Sequence, residues 1–396
     1  MKLRSRKRIN PTINALSTIV IVVIVVVLLL ANVIPKLRNK AKKLNQKAVK
    51  IISVVLVIAV TAGLVKWGFV TKSTHVLKVY NAGEYMDMSL IDEFEKEYNC
   101  TVVYETFESN EMMYTKLSSG ETYDVLVPSD YMIERLIKEE YLQALDWNEI
   151  PNKKNLLDDV MNQSYDPGNR YSCPYFWGTV GILYDKTVVD EADLKEGWKL
   201  LRNQKYKGNI YMYDSERDSF MIALKTLGYS MNTTNEAEIE EAYQWLIDQR
   251  DTMDPIYAGD DVIDNMISGN KALAVVYSGD ASYIISENPN LDYFTPEQGT
   301  NRWCDAMVIT KDCSEVQLAH EFINFMISDE SALSNTEEVG YTSTVKSAFE
   351  TMRNGNYAGI NSYIPDTANP NNEIFAYQQP KIKQKFAELW TKVKAK

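Results

Sequence analysis

From residue 75 onward the chain alternates β-branched runs with amphipathic helical ones, and this rhythm leaves few folds open. HVLKVYNA (75–82) reads as a strand, and MSLIDEFEKEY (88–98) as a helix with Leu90, Ile91, Phe94 and Tyr98 on one face. TVVYETF (101–107) is a second strand, and NEMMYTKLSSG (110–120) a helix closed by Gly120. A short buried strand, YDVLVPS (123–129), leads into a helix from Tyr131. Further strands are expected at 181–185, 209–214, 272–278 and 306–310, and helices at 218–228, 236–249, 260–268, 315–328 and 378–394. Strand and helix in alternation build parallel sheets flanked by helices. The expected class is α/β.

The first 75 residues follow another pattern. They hold 14 of the 42 Lys and Arg and none of the 54 Asp and Glu, so the rest of the chain has 28 bases against 54 acids, a net of −26. Residues 15–34, ALSTIVIVVIVVVLLLANVI, are uncharged and long enough for a membrane-spanning helix. A second apolar run, 51–65, continues to Val70 and is broken only by Lys66, which can snorkel to the interface. PKLRNKAKKLNQKAVK (35–50), with seven bases, lies between them and is expected on the cytoplasmic side, placing the chain beyond 70 outside. The second run reads as an uncleaved anchor rather than a signal peptide, and no cysteine follows it to carry a lipid. MKLRSRKR would then also lie outside, with five bases against the charge rule.

The acidic part repels nucleic acid and attracts cations. His75 and His320 are the only histidines, which leaves little for a metal site or a Ser-His-Asp triad. No CxxC pair or phosphate-binding glycine loop is present, and Cys100, Cys173, Cys304 and Cys313 read as free thiols. Neither a metal nor a cofactor is expected, nor an enzyme.

In open α/β sheets ligands bind beyond the carboxyl ends of the strands. Those ends carry acids and aromatics here: Asn81-Ala82-Gly83-Glu84-Tyr85, Pro128-Ser129-Asp130-Tyr131, Ser215-Glu216-Arg217-Asp218, Gly279-Asp280, and Trp303-Cys304-Asp305 before the last strand. Carboxylates beside aromatic faces suit an organic cation, through charge-assisted hydrogen bonds and cation–π attraction.

At these residues the chain resembles the spermidine/putrescine-binding proteins of bacterial polyamine ABC importers. The similarity runs in order over 76–396 through NAGEY (81–85), TFESNEMMYTKL (106–117), YDVLVPSDYMIERL (123–136), CPYFWGTVGI (173–182), ALKTLGYSMNTTNEAEIEEAY (223–243), VVYSGDASY (275–283), RWCDAMVI (302–309) and EVGYTSTV (338–345). The resemblance implies a periplasmic-binding-protein-like fold of type II, with lobe 1 at 76–179 plus 305–349 and lobe 2 at 180–304 plus 350–396. Hinges are implied near 178–181, 303–306 and 348–351.

It further implies ligand contacts from Glu84 and Tyr85, from Ser129 and Tyr131, and from Asp218 and Asp305 at two amines. Tyr277, Trp303 and Tyr341 would form an aromatic box, and Gln378 would supply a C-terminal amide. Glu84, Ser129 and Asp218 have plainer readings as helix caps. Arg217 is expected to orient Asp218 by an ion pair, Trp177 to be a core or interlobe residue, and Asp280 to lie on the surface. Ala82, Tyr277 and Ser215 depart from the family pattern, where Trp, Trp and Asp are frequent.

The implied partners are a polyamine, ABC permease subunits with their ATPase, and membrane lipid, at the cell membrane with the binding domain outside. RKRINPTINALSTIVIVVIVVVLLL resembles the last transmembrane helix of the importer's permease. The implied layout is a permease-like helix at 1–36, a basic loop at 37–50 and an anchor at 51–75. A permease-fused transporter component and a binder of another organic cation stand as alternatives.

Overall fold

The computed structural model describes residues 75–395. The two apolar runs and the basic loop between them lie outside the described residues. Among those described, no helix is long and apolar enough to cross a membrane.

Two groups of parallel strands are joined by a crossed antiparallel pair. In the first group β1 (Val76–Ala82) lies between β2 (Thr101–Phe107) and β3 (Val125–Leu126), all parallel. In the second, β5 (Ile210–Tyr213) lies between β6 (Ile256–Ala258) and β7 (Leu273–Tyr277), again parallel. The expectation of parallel sheets holds for these strands. β9 (Arg302–Ile309) and β4 (Ser172–Asp185) depart from it, running antiparallel to their neighbours. β4 belongs to both groups: Ser172–Thr179 pairs with β9, and Val180–Asp185 pairs with β7 and β8 (Leu291–Phe294). The strand order is β2-β1-β3-β9-β4-β7-β5-β6, with β8 and β10 (Thr342–Ser343) on β4.

Side chains alternate between the two faces of each sheet, as the period of two requires. In the first lobe Leu77, Val79, Met307 and Ile309 enter one core with Phe94 and Phe322, while Tyr80, Leu126, Ala306 and Val308 enter the opposite one with Ile133 and Leu136. In the second, Ile182, Ile210, Met212 and Val275 face one core and Leu183, Tyr211, Ala274 and Val276 the other. Sheets covered on both faces give two separate lobes. Each fully buried large apolar side chain contributes roughly 1.5–3 kcal/mol, so each lobe has its own source of stability.

Several helices carry the site. α1 (Ser89–Tyr98) buries Leu90, Ile91 and Phe94, with Tyr98 half-buried at its end. α2 (Asn110–Ser118) starts at Ser109, whose hydroxyl accepts from Met112 N. α3 (Asp130–Lys138) follows β3, and α4 (Glu216–Leu227) follows β5. α5 (Glu236–Met253) and α6 (Val262–Ile267) close the second lobe, and α7 (Ser278–Glu287) follows β7 directly. α8 (Val316–Met326), α9 (Asp329–Val339) and α10 (Lys346–Asn354) complete the first lobe, and α11 (Pro380–Lys394) packs Phe386, Leu389 and Val393 into the second.

The four thiols are free, three buried and Cys313 half-buried. Trp177 is a core residue whose indole donates to Ser343 O.

Candidate ligand-binding site

A cleft of about 640 Å³ opens between the lobes at the carboxyl ends of β1, β3, β5 and β7, with the first half of β9 along its floor. Eight of the ten expected contact residues line it: Tyr85, Ser129, Tyr131, Asp218, Tyr277, Trp303, Asp305 and Tyr341. The other two do not. Glu84 sits in a turn with left-handed backbone (φ 52) that leaves its side chain exposed. Gln378 faces two small adjoining pockets, beside Arg135 and Lys383 in one and beside Arg217 and Phe386 in the other.

On the first-lobe wall, Tyr85 OH donates to Asp305 Oδ2 at 2.7 Å. Tyr85 is itself held by Tyr175, which donates to its backbone oxygen at 2.7 Å and accepts from Asn335 Nδ2 at 2.8 Å. Burial pushes the Asp305 carboxyl up, and the Tyr85 and Ser129 hydroxyls pull it back. Asp130, which the sequence reading did not single out for contact, is buried beneath and accepts from the backbone N–H of Tyr131 at 2.6 Å and of Cys304 at 3.2 Å. Burial and the neighbouring Asp305 push it up to about 8. Ser129 occupies the cap position of α3, yet its hydroxyl makes no cap bond and accepts instead from Asn110 Nδ2 at 3.0 Å.

On the second-lobe wall, Asp218 is buried in the first turn of α4. The cap is Ser215, whose hydroxyl accepts from Asp218 N at 3.3 Å, so the Asp218 carboxylate is free for other work. It accepts from Tyr277 OH at 2.9 Å, and burial raises its pKa. Asp280 is not a surface residue: it is half-buried and accepts from Tyr341 OH at 3.1 Å, and burial pushes it up to about 7.

Trp303 stands edge-on between Tyr277 (ring centroids 6.1 Å) and Tyr341 (5.5 Å), and Tyr85 packs on Tyr341 (5.7 Å). Close backbone makes room for these rings: a Cβ on Gly279 would lie 1.7 Å from the Tyr341 ring, and one on Gly178 2.6 Å from Trp303.

Arg217 does not pair with Asp218. Its Nη2 lies 3.1 Å from Glu111 Oε1, and its guanidinium stacks 3.4 Å from the Tyr131 ring centroid. Lys383 Nζ reaches the same Glu111 oxygen at 2.9 Å. Burial would raise Glu111, but Arg217 and Lys383 hold its carboxyl below its ordinary value. Glu111 and Lys383 are 272 residues apart and belong to different lobes, so only the fold reveals this cluster.

The cleft is therefore lined by five carboxylic acids, Glu111, Asp130, Glu216, Asp218 and Asp305, and only two bases. Both bases are committed to Glu111. Among the described residues, no ion pair engages Asp130, Asp218, Asp280 or Asp305. Withdrawing a carboxylate from water costs several kcal/mol, whereas an exposed ion pair returns at most about 1 kcal/mol. Protonation relieves that cost in the empty cleft, as the raised pKa values of these acids show, and a cation brought into the cleft relieves it with the acids ionised.

The family model for bacterial extracellular solute-binding proteins matches residues 89–358. The chain belongs to the bacterial extracellular solute-binding proteins. The spermidine/putrescine-binding periplasmic protein of Escherichia coli (strain K12) is 31% identical to it over 325 residues, 81% of this chain and 92% of that protein. A putrescine-binding periplasmic protein of Pseudomonas aeruginosa is 31% identical, again over 81% of this chain and 92% of its own length. The crystal structure of a spermidine/putrescine ABC transporter substrate-binding protein from Streptococcus pneumoniae superposes with a TM-score of 0.72 at 37% identity, covering 81% of this chain and 99% of that one. These relatives are binding proteins of transporters, not enzymes. As a member of the family, the chain is an α/β protein of two lobes with the solute cleft between them.

Proposed function

We propose that this solute-binding protein captures a small organic polycation, spermidine or putrescine, outside the cell and delivers it to the permease and ATPase of an ABC importer. The carrying observation is the set of carboxyls without an ion pair, Asp305 and Asp130 on one wall and Asp218 on the other, around Tyr85, Tyr277, Trp303 and Tyr341. An alkyl chain with ammonium ends matches it. Carboxylates take the nitrogens, and the rings cover the methylenes at about 0.8 kcal/mol per buried CH₂. The names of the E. coli, P. aeruginosa and S. pneumoniae relatives support the same ligand class. Ala82 and Gly83 line the cleft without an aromatic ring, which leaves one end wider than the family's frequent Trp would.

Because the acids sit on both lobes, bound ligand favours the closed arrangement. In this reading lobe 1 comprises 76–179 and 305–349, and lobe 2 comprises 180–304 and 350–396. Residues 1–75 would tether the protein to lipid by two helices, the first a permease-like segment.

A thermal-shift panel on the purified full-length chain tests the ligand class, because a ligand stabilises the native state by mass action. Spermidine and putrescine should raise the melting temperature, and arginine, thiamine and choline should not. A shift only with one of the latter would replace the polyamine by another cation.

A further inference from the structure

The cleft contains a polar group that none of the carboxylate contacts uses. Asn301 lines it, is 4% exposed, and its Oδ1 has no hydrogen-bond partner. Among the described residues, neither that oxygen nor the side-chain nitrogen has a hydrogen-bond partner. Buried side-chain polar atoms are nearly always paired, and a carboxamide left unpaired costs stability. Asn301 and Trp303 are the cleft-lining residues among those carrying such an orphan atom. The Trp303 orphan is an N–H donor, which a cation cannot satisfy; the Asn301 orphan is an acceptor, which an ammonium can.

Its position strengthens the point. Asn301, Trp303 and Asp305 stand at i, i+2 and i+4 along β9 and the residue before it, so alternation turns them to one face. That face presents an amide, an indole and a carboxylate in a row, roughly 13 Å from first to last at about 3.3 Å per residue. The Asn301 backbone is fixed independently of its side chain, since its carbonyl accepts from Val180 N at 3.2 Å. The carboxamide is thus held at the β4–β9 crossing but is free to turn about its terminal torsion.

We infer that Asn301 is a ligand contact, whose side-chain oxygen accepts an N–H of the bound amine at the end of the β9 row away from Asp305. This rests on the polyamine reading and deepens it: the ligand must carry primary or secondary ammonium hydrogens at that end.

Calorimetric titration of the full-length chain with spermidine and putrescine tests it. Asn301→Leu, which fills the same space without an acceptor, should lower affinity for the preferred amine about tenfold or more. Asn301→Asp, which keeps the acceptor and adds charge, should bind as tightly as the wild type or tighter. Unchanged affinity in Asn301→Leu overturns the inference. So does an Asn301→Asp protein as weak as the Leu variant, since the residue would then act through packing. If the wild type itself binds neither amine, the polyamine reading falls and this contact with it; if the wild type binds and Asn301→Leu is unaffected, only the contact falls.

Discussion

Oε1 of Glu111 in the first lobe stands 3.1 Å from Nη2 of Arg217 in the second. Lys383 approaches the same oxygen at 2.9 Å, so one carboxylate answers two cations across the cleft. The cluster holds the rim together without touching the uncompensated acids deeper in. Glu111→Gln should weaken spermidine binding roughly two- to fivefold, the scale of a partly exposed ion pair. The loss should appear mainly as faster dissociation in stopped-flow traces and should shrink in high salt. Dissociation rates that do not move would mean the rim contacts contribute nothing to closure.

Asp305 carries a larger share. Its carboxylate faces the cleft with Tyr85 OH already oriented on Oδ2. Asp305→Asn keeps the shape and removes the charge, so spermidine affinity should fall tenfold or more by calorimetry, as expected for a charge-assisted bond. The same variant should not lower the melting temperature of the ligand-free protein, because it removes a carboxyl whose ionised form burial disfavours. Full retention of affinity would falsify the assignment.

The acids also set a pH signature. Burial holds Asp280 at about 7 and Asp130 at about 8, above the roughly 3.9 of an unfolded-chain Asp. The ligand-free folded protein therefore keeps protons that the unfolded chain releases. That contribution to stability is complete at low pH and is lost as pH rises through about 7 to about 8. A bound polycation favours the ionised form of Asp130, which lines the cleft, and expels its proton. The ligand-free melting temperature should thus decline from about pH 4 to about pH 8 and level off above it, while the increment added by spermidine grows over the same range. Parallel curves with and without ligand would count against it.

Gly279 gives a steric test. With a Cβ at that position 1.7 Å from the Tyr341 ring, Gly279→Ala displaces Tyr341 or separates the lobes locally. Ligand affinity should drop by an order of magnitude or more, with a smaller effect on each lobe's own core. Scattering profiles that contract on adding spermidine as fully as the wild type does would contradict this.

Much of this arrangement is legible in the sequence where hydrophobic period is unbroken. β1, α1 and β2 fall where the pattern puts them, because one face of each is plainly apolar. Ser172–Thr179 is harder to read. Pro174 and Gly178 interrupt it, and the structure accommodates the proline at an irregularity between Pro174 and Phe176. β9 begins at Arg302, earlier than the apolar run suggests, because Trp303 and Asp305 turn toward the cleft while Cys304 between them enters a core. α7 opens on Ser278-Gly279, which reads as a turn, yet the close approach of Tyr341 requires that glycine. The acids and rings of the site were readable at strand ends. The pairing of Arg217 with Glu111 was not, since it joins residues 106 apart through tertiary structure alone.

The sharing of β4 between the two sheets has a mechanical consequence. Its hydrogen bonds pass from β9 to β7 at Thr179–Val180, so the sheets meet at a fulcrum two residues wide. A change of torsion there moves each atom in proportion to its distance from that point. Glu111 and Arg217 pair across the cleft from opposite lobes, so their attraction acts as a torque about that point. Weak attractions at the rim thereby exert more torque than equal forces near the floor, and so does any partner that grips the two rims.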